Sequence, residues 1–542
     1  MTTISQETFD DMVRENMEDF DMEKKEALAE TISQLTSMGK DLSSIDTTGG
    51  EGREEILAAI RCIRELKENK NESIEESIRT LCSKCSDKHE FGKRNQSIFR
   101  INGGMIATVA ALETSLSDDI VKSVCDLIIT VCRTNIENRD LFEPFGSEKL
   151  CAIINRCLES FSESENDSAM ELLHQCLKCA RVVAKSENNK VALMHCGLSN
   201  HILSLLRLCS DSIDSLSVGS RLLLATQESC LLLKCLCTHD DTRREMSCAY
   251  DNGRRLLSDG FVEYLMLFAG KFATHQDLGI AALSAVRQVV LSEEAVKAVA
   301  KFGAMTLPRD VLSYPAATVP LIRSVLGLAR NLCADDERKN SLVSDGTLQL
   351  LVDTISRDEN ASDAILMEHA FACLAAMALR FPNNACAIVN LGAVDEIVSG
   401  MQRHADKPAL QRQACLTIRN IAARSPELRP RMLDCGVENA LRMAGRVQSC
   451  VDEAYGALRD LGCDVQYVTI TEGGQAESAY QQFGSAGPLK FNPVFDETSD
   501  IEQRVSNKAS APFTNSDRSV FRVDEEDEDE DEVHTHSENC QH

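Results

Sequence analysis

The sequence predicts an all-α protein built as a solenoid of stacked helical repeats, and three observations carry that expectation. Apolar residues recur at helical spacing across roughly residues 91–465, with Gly, Asn, Asp and Pro at the breaks and no convincing run of alternating strand residues. A short pattern also recurs, in which an apolar helix end is followed by a Gly and then by small or apolar residues that open the next helix. Its glycines are Gly104, Gly146, Gly197, Gly260, Gly303, Gly346, Gly392 and Gly436, spaced by 42, 51, 63, 43, 43, 46 and 44 residues. Third, segments such as MEHAFACLAAMALRF (367–381) and PALQRQACLTIRNIAAR (408–424) are apolar nearly all round, as helices sandwiched between neighbouring repeats must be.

The elements follow in order. Residues 1–90 are expected to form an acidic helical cap, with helices near 6–21, 23–38, 52–68 and 72–85. Phe9, Val13, Met17 and Phe20 share one helical face. That stripe either docks on the first repeat and closes its open apolar end or serves as a detachable helix for a partner groove. Residues 91–465 are the repeat array, about eight units. Each holds a short helix, a glycine turn, a second helix, a polar loop and a longer third helix. The glycines are expected to take the left-handed conformation that ends one helix and redirects the chain. The two long spacings are absorbed by polar insertions, SESENDSAM (162–170) and SDSIDSLSVGS (210–220). Residues 466–542 are rich in Gly, Ser, Gln and acids and are expected to be a disordered acidic tail containing nine consecutive acids, DEEDEDEDE (524–532).

Composition excludes several functions. The formal charge of −28 disfavours binding to nucleic acid or to an anionic membrane surface. The acidity sits at the ends: residues 1–90 carry 22 acids and 12 bases, and residues 466–542 carry 17 acids and 5 bases. No run of about 18 uncharged apolar residues predicts a membrane span. The opening MTTISQETFDDMVREN has no apolar signal-peptide core. The 23 cysteines are expected to be reduced thiols in the cytosol or the nucleus, most of them packed as small hydrophobes. Enzymatic motifs are missing: no phosphate loop, no dinucleotide fingerprint, no HExxH and no GxSxG, so catalysis and cofactors are not expected. Cys82, Cys85 and His89 offer three potential ligands without the second pair that a structural zinc site needs, and no metal is assigned to them. Ser499, in DETSDIE, has the acidic surroundings that acidophilic kinases read.

The turn motifs FGAM, DGTL, LGAV and CGVE, with the third-helix ends LARNLCADDERKN (328–340) and IRNIAAR (418–424), resemble the armadillo repeat family. The ends of the chain, QETFDDMVRENMEDF (6–20), SMGKDLSSI (37–45) and ALRDLGCDV (457–465), resemble one narrower branch of it. In that branch a CxxC precedes the repeats, as LCSKC (81–85) does here. The resemblance implies a right-handed superhelix without catalysis, whose third helices line a concave groove. An Asn there clamps the backbone of an extended peptide, because its amide both donates and accepts. The positions that match are Asn331 and Asn420, with Gln288 as a partial substitute, while Ala376, Asp460, Cys235 and Val182 break the ladder. The residue before is often basic: Lys234, Arg287, Arg330 and Arg419. The groove residues are therefore Arg287, Gln288, Arg330, Asn331, Arg419 and Asn420. They would favour an acidic or phosphorylated protein partner, unless the bases pair with nearby acids or cover apolar surface with their stems. Nuclear-signal binding of the importer type is not expected, since the chain has no Trp to stack on cargo lysines. The expectation is a monomeric, non-catalytic scaffold in the cytosol or nucleus. The alternative is an adaptor or chaperone-like binder that attracts basic proteins through its acidic ends.

Overall fold

A computed structural model describes residues 2–465 apart from 21, 43–44, 46, 48–51, 66–70, 114–115 and 165–166, together with 468–470 and 476–478. The described residues are dominated by α-helix, with two short two-stranded pairings, Thr2–Thr3 with Lys40–Asp41 and Val468–Ile470 with Ala476–Ser478. Within residues 466–542, expected to be a disordered tail, Val468–Ile470 and Ala476–Ser478 pair as strands, and the rest lies outside the described residues. No described helix is long and apolar enough to cross a membrane. The chain divides into two compact units, residues up to 328 and residues from 329.

The first unit opens with a hairpin of two helices, Gln6–Asp19 and Lys24–Ser37. Ser5 starts the first by accepting the amide of Thr8 at 3.1 Å. The expected apolar stripe divides here. Phe9 and Val13 are buried with Ala27, Leu35 and Ile45 in a core that belongs to the hairpin, whereas Met17 and Phe20 are exposed. Asn16 is buried and donates to Thr31 Oγ1 at 2.8 Å, which donates to the Ala27 carbonyl at 2.8 Å, so the one polar pair inside this core is bonded. The next helices, Arg53–Arg64 and Asn71–Lys84, fall where periodicity predicts.

Repeating helices fill the rest of that unit. Its third helices include Asp118–Cys132, Asp167–Val183, Arg221–Leu236 and Gln276–Val289. In the second unit Ala364–Ala378, Pro408–Ala422 and Val451–Leu461 occupy the same place. Eleven of the fifteen residues of Ala364–Ala378 are buried, the signature of a helix enclosed by its neighbours. Of the 22 described cysteines, 15 are buried and all are free thiols.

The glycine turns hold with two corrections. Gly197, Gly260, Gly303, Gly346, Gly392 and Gly436 have φ between +80° and +94°. Gly104 does not: its neighbour Gly103 takes the left-handed turn at φ +73°. Gly104 is needed for a different reason, because a Cβ there would stand 2.3 Å from the buried Phe99 ring. Gly146 likewise opens a helix directly on the Phe142 ring, 2.7 Å from where a Cβ would be. At these two places packing excludes a side chain, and backbone conformation does not.

Buried asparagines close the carbonyl ends of the third helices. Asn138 donates to the Val131 carbonyl (2.8 Å), Asn189 to Val183 (2.9 Å), Asn252 to Leu236 (2.7 Å) and Asn384 to Met377 (3.0 Å). Each Asn belongs to the short helix that follows, so it satisfies a carbonyl that the helix end leaves orphaned and fixes the angle between successive repeats.

Candidate interaction surface of the third helices

The six residues expected to face a partner fall on equivalent stretches of helix, and the structure gives each a neighbour in the adjacent repeat or a place in the core. In the first unit, Gln288 is buried and Arg287 is half-buried. The Arg287 stem and guanidinium lie across Gly327, 3.0–3.1 Å from where its Cβ would stand. In the second unit, Arg330 and Asn331 are buried. Arg419 lies across Gly456 at 3.4–3.5 Å and holds Asp460 at 3.4 Å. Asn420 donates its amide to the Ala375 carbonyl at 3.0 Å, clamping the neighbouring helix of its own chain. The two pairings repeat one device: an Arg of one third helix rests on a glycine of the next.

A wider ladder of charges joins third helix to third helix. Glu171 takes Lys122 from the preceding repeat and Arg221, at 3.3 Å, from the following one. Arg181 meets buried Glu228 at 2.5 Å, and Arg412 meets Glu453 at 2.8 Å. Gln175 bonds Asp126, and Gln276 bonds Thr318. In these contacts Lys122, Arg221, Arg181, Arg412 and Arg419 each reach an acid on a neighbouring third helix. His174, in the same surface, is pushed down to about 4 by burial first and then by Lys178, Arg221 and Arg181, so it is neutral near pH 7. Among the six expected groove residues, Arg287, Arg419 and Asn420 are partly exposed, while Gln288, Arg330 and Asn331 are buried.

Sequence reasoning missed a second polar cluster, in the first unit. Lys190 is fully buried, donating to the Thr238 carbonyl, with Glu187 at 3.7 Å and Asp240 at 3.8 Å. Arg243 bridges Asp241 (2.8 Å) and Asp140 (2.8 Å), and Asp140 also accepts from Ser186 at 2.8 Å. Glu187 accepts the Cys248 amide and the Ser247 hydroxyl. Together these contacts fasten residues 237–248, the connection between Arg221–Leu236 and Ala249–Ser258, so the expected insertion at 210–220 is not alone in lengthening that repeat spacing to 63. Lys339 has the matching role in the second unit, donating to the Leu379 carbonyl at 3.1 Å beneath the Phe381 ring. The only sequence signal was a Lys at the same place in two repeats, ENNKV and DERKN.

The remaining candidates are placed as follows. Cys85 is buried and Cys82 partly so, and burial pushes their thiols up to about 12 and about 11. His89 Nδ1 accepts the Phe91 amide at 3.1 Å. Among the described residues no group of three or more metal-ligating side chains is gathered. An open cleft of about 410 Å³ between Gly146–Ser164 and Leu198–Ser212 is lined by Asn155, Glu159, His201, Ser204, Arg207 and Asp211 among others. Ser499 lies outside the described residues.

Comparison with known proteins agrees with this architecture. The family described as the armadillo repeat-containing protein 6 N-terminal domain matches residues 1–59. The armadillo repeat-containing protein 6 homolog of Drosophila melanogaster is 26% identical over 406 residues, covering 72% of this chain and 80% of that protein. Armadillo repeat-containing protein 6 of Homo sapiens is 23% identical over 396 residues, covering 70% and 75%. A crystal structure of an engineered protein superposes with a TM-score of 0.52 at 16% identity, covering 76% of this chain and 100% of that one, which is a likeness of fold.

Proposed function

We propose that this armadillo-repeat chain, similar to armadillo repeat-containing protein 6, is a non-catalytic protein-interaction scaffold that works as a monomer in the cytosol through the surface of its third helices. The observation that carries the proposal is the recurrence of half-exposed polar groups at equivalent helix positions within each unit, Arg287 in the first and Arg419 and Asn420 in the second, held in place by the neighbouring repeat. A surface fixed in advance loses little side-chain entropy on binding, so small contacts per repeat accumulate. The free thiols fit a reducing compartment. Gln288, Arg330 and Asn331 are buried beneath that surface and support it.

The test compares affinity purification and mass spectrometry for three proteins: the intact chain, Arg287→Gln/Arg419→Gln, and a chain ending at residue 465. The double variant keeps its helical circular dichroism, since both side chains are half-exposed, and loses partners that the shortened chain retains. If the double variant keeps every partner and the shortened chain loses them, the binding element is the acidic tail and this proposal is wrong.

A further inference from the structure

We infer that the third-helix surface of the first unit takes an extended acidic segment of a partner protein, with one carboxylate to each repeat, along a stripe of bases formed by Arg133, Lys178, Arg181, Lys185, Lys234 and Arg287. The inference rests on that surface being a binding face and adds the chemistry of what it binds. The C-terminal halves of the four third helices, with the residues just past them (126–133, 175–185, 228–238 and 283–291), carry six bases and two acids. That is a net charge of +4 within a chain of −28. The two acids are Asp126, which accepts from Gln175, and Glu228, which is buried against Arg181 at 2.5 Å. Past these segments Asp240 faces Lys190 at 3.8 Å and Asp241 is held by Arg243 at 2.8 Å. A positive face on so acidic a protein draws an anionic partner to that one place.

The bases share one face. Gln175 bonds Asp126 between adjacent third helices, and Arg133 lies two turns beyond Asp126 on the same line. Lys178 and Arg181 follow Gln175 at successive helical spacings of three. Cys235 Sγ donates to the Arg181 carbonyl at 3.6 Å, which sets Lys234 level with Arg181 one repeat on. Arg287 has the same motif position in the repeat after that. Arg133 is exposed and the other five are half-buried, so their stems lie along the helices and their charges stay at the surface. His174 already feels this field, being pushed down to about 4 by burial first and then by Lys178, Arg221 and Arg181. Packed helices stand about 8–10 Å apart and an extended chain advances about 3.3 Å per residue, so acids three residues apart meet successive repeats. A single-stranded nucleic acid is also an extended polyanion. The four segments hold no Phe, Tyr or Trp on which its bases could stack, and the total charge of the chain repels its phosphates.

The probe is an acetylated, amidated peptide of four Glu-Ser-Gly triplets with a neutral fluorophore, followed by fluorescence anisotropy at low salt, where charge contacts are least screened. The controls are the same peptide with its four Glu side by side, a Lys-Ser-Gly peptide and a thymidine oligonucleotide of equal length. Each is titrated against the full chain, Lys178→Gln/Lys234→Gln, Lys178→Arg/Lys234→Arg and Lys297→Gln/Lys301→Gln. A further full chain has every Asp of 524–532 changed to Asn and every Glu to Gln, and circular dichroism checks that each protein is folded. The full chain should bind the spaced Glu peptide at least ten-fold more tightly than the Lys peptide or the oligonucleotide, and at least three-fold more tightly than the clustered one. The Lys178→Gln/Lys234→Gln variant should lose at least ten-fold, while the Arg variant and the Lys297/Lys301 variant stay within two-fold of wild type. Unchanged affinity in Lys178→Gln/Lys234→Gln, equal affinity for the clustered peptide, or tighter binding of the oligonucleotide overturns the inference. Binding seen only when the acids of 524–532 are removed also overturns it, because the occupant is then the chain's own tail. Absence of peptide binding while Arg287→Gln/Arg419→Gln still loses cellular partners refutes this inference and leaves the scaffold function standing.

Discussion

Replacing Gly346 separates what a repeat glycine does from where it sits. Gly346 has φ +94° and ψ −3°, and an added Cβ would meet nothing within 4 Å. The penalty is therefore backbone conformation alone, about 1–2 kcal/mol for an L-residue held in the left-handed region. Alanine also restricts the unfolded chain, which returns about 0.4–1 kcal/mol, so Gly346→Ala should cost between about 0 and about 1.6 kcal/mol. Asn visits this region several-fold more readily than other residues and should cost less than Ala, while a β-branched Val should cost more than Ala. Gly104→Ala is the contrasting case. Position 104 needs no left-handed φ, but its Cβ would stand 2.3 Å from the Phe99 ring, and Phe99 is fully buried. Overpacking of that kind costs about 1–3 kcal/mol, and Asn there should be worse than Ala because it is larger. The assay is thermal unfolding followed by far-ultraviolet circular dichroism, in which about 1 kcal/mol shifts a unit of this size by about 2–4 °C. The order at 346 should be Asn, Ala, Val from mildest to most damaging, and at 104 Ala milder than Asn. If Asn and Val are equally damaging at 346, conformational strain is not what the glycine relieves, and the argument fails.

Three further outcomes are expected. Lys190→Met should destabilise by about 3–5 kcal/mol, because it strands buried Glu187 next to Asp240. Lys339→Met should cost about 1–3 kcal/mol, since the Asp336 it leaves is half in water and only the Leu379 carbonyl loses its donor. Urea midpoints of the two variants check the order. The Arg243 guanidinium holds the buried Asp241 carboxyl down to about 2. A depressed folded value means that this stabilisation is complete above the unfolded value near 4 and is lost as pH falls from about 4 to about 2. It amounts to about 1–2 kcal/mol, so wild type and Arg243→Ala should differ in stability at pH 6 and converge at pH 2; a constant difference refutes the linkage. Burial pushes thiols such as Cys132 and Cys237 up to about 12, and a thiol reagent should label the 15 buried cysteines only on unfolding. Rapid labelling of half or more of all cysteines in folded protein contradicts their placement.

What the sequence determined by itself is whatever depends on spacing along the chain. Helix positions, the repeat period and the burial of cysteines inside apolar runs all follow from local patterns, because a solenoid repeats one short unit and each unit meets only its neighbours. Tertiary structure decided everything that depends on which neighbour arrives. Gly103 and Gly104 are indistinguishable in INGGM until the Phe99 ring is placed under one of them. The stripe from Phe9 to Phe20 is continuous in sequence, yet the second helix of the hairpin covers only its inner half. Arg330 and Arg419 occupy the same motif position, but one is buried and the other reaches Asp460 in partial contact with water. Asn138, Asn189, Asn252 and Asn384 look like loop residues in the sequence and are buried caps in the fold. In each case the side chain's partner lies on another helix, and a hydrogen bond or a steric limit exists only once two helices are packed, so periodicity along one helix carries no trace of it.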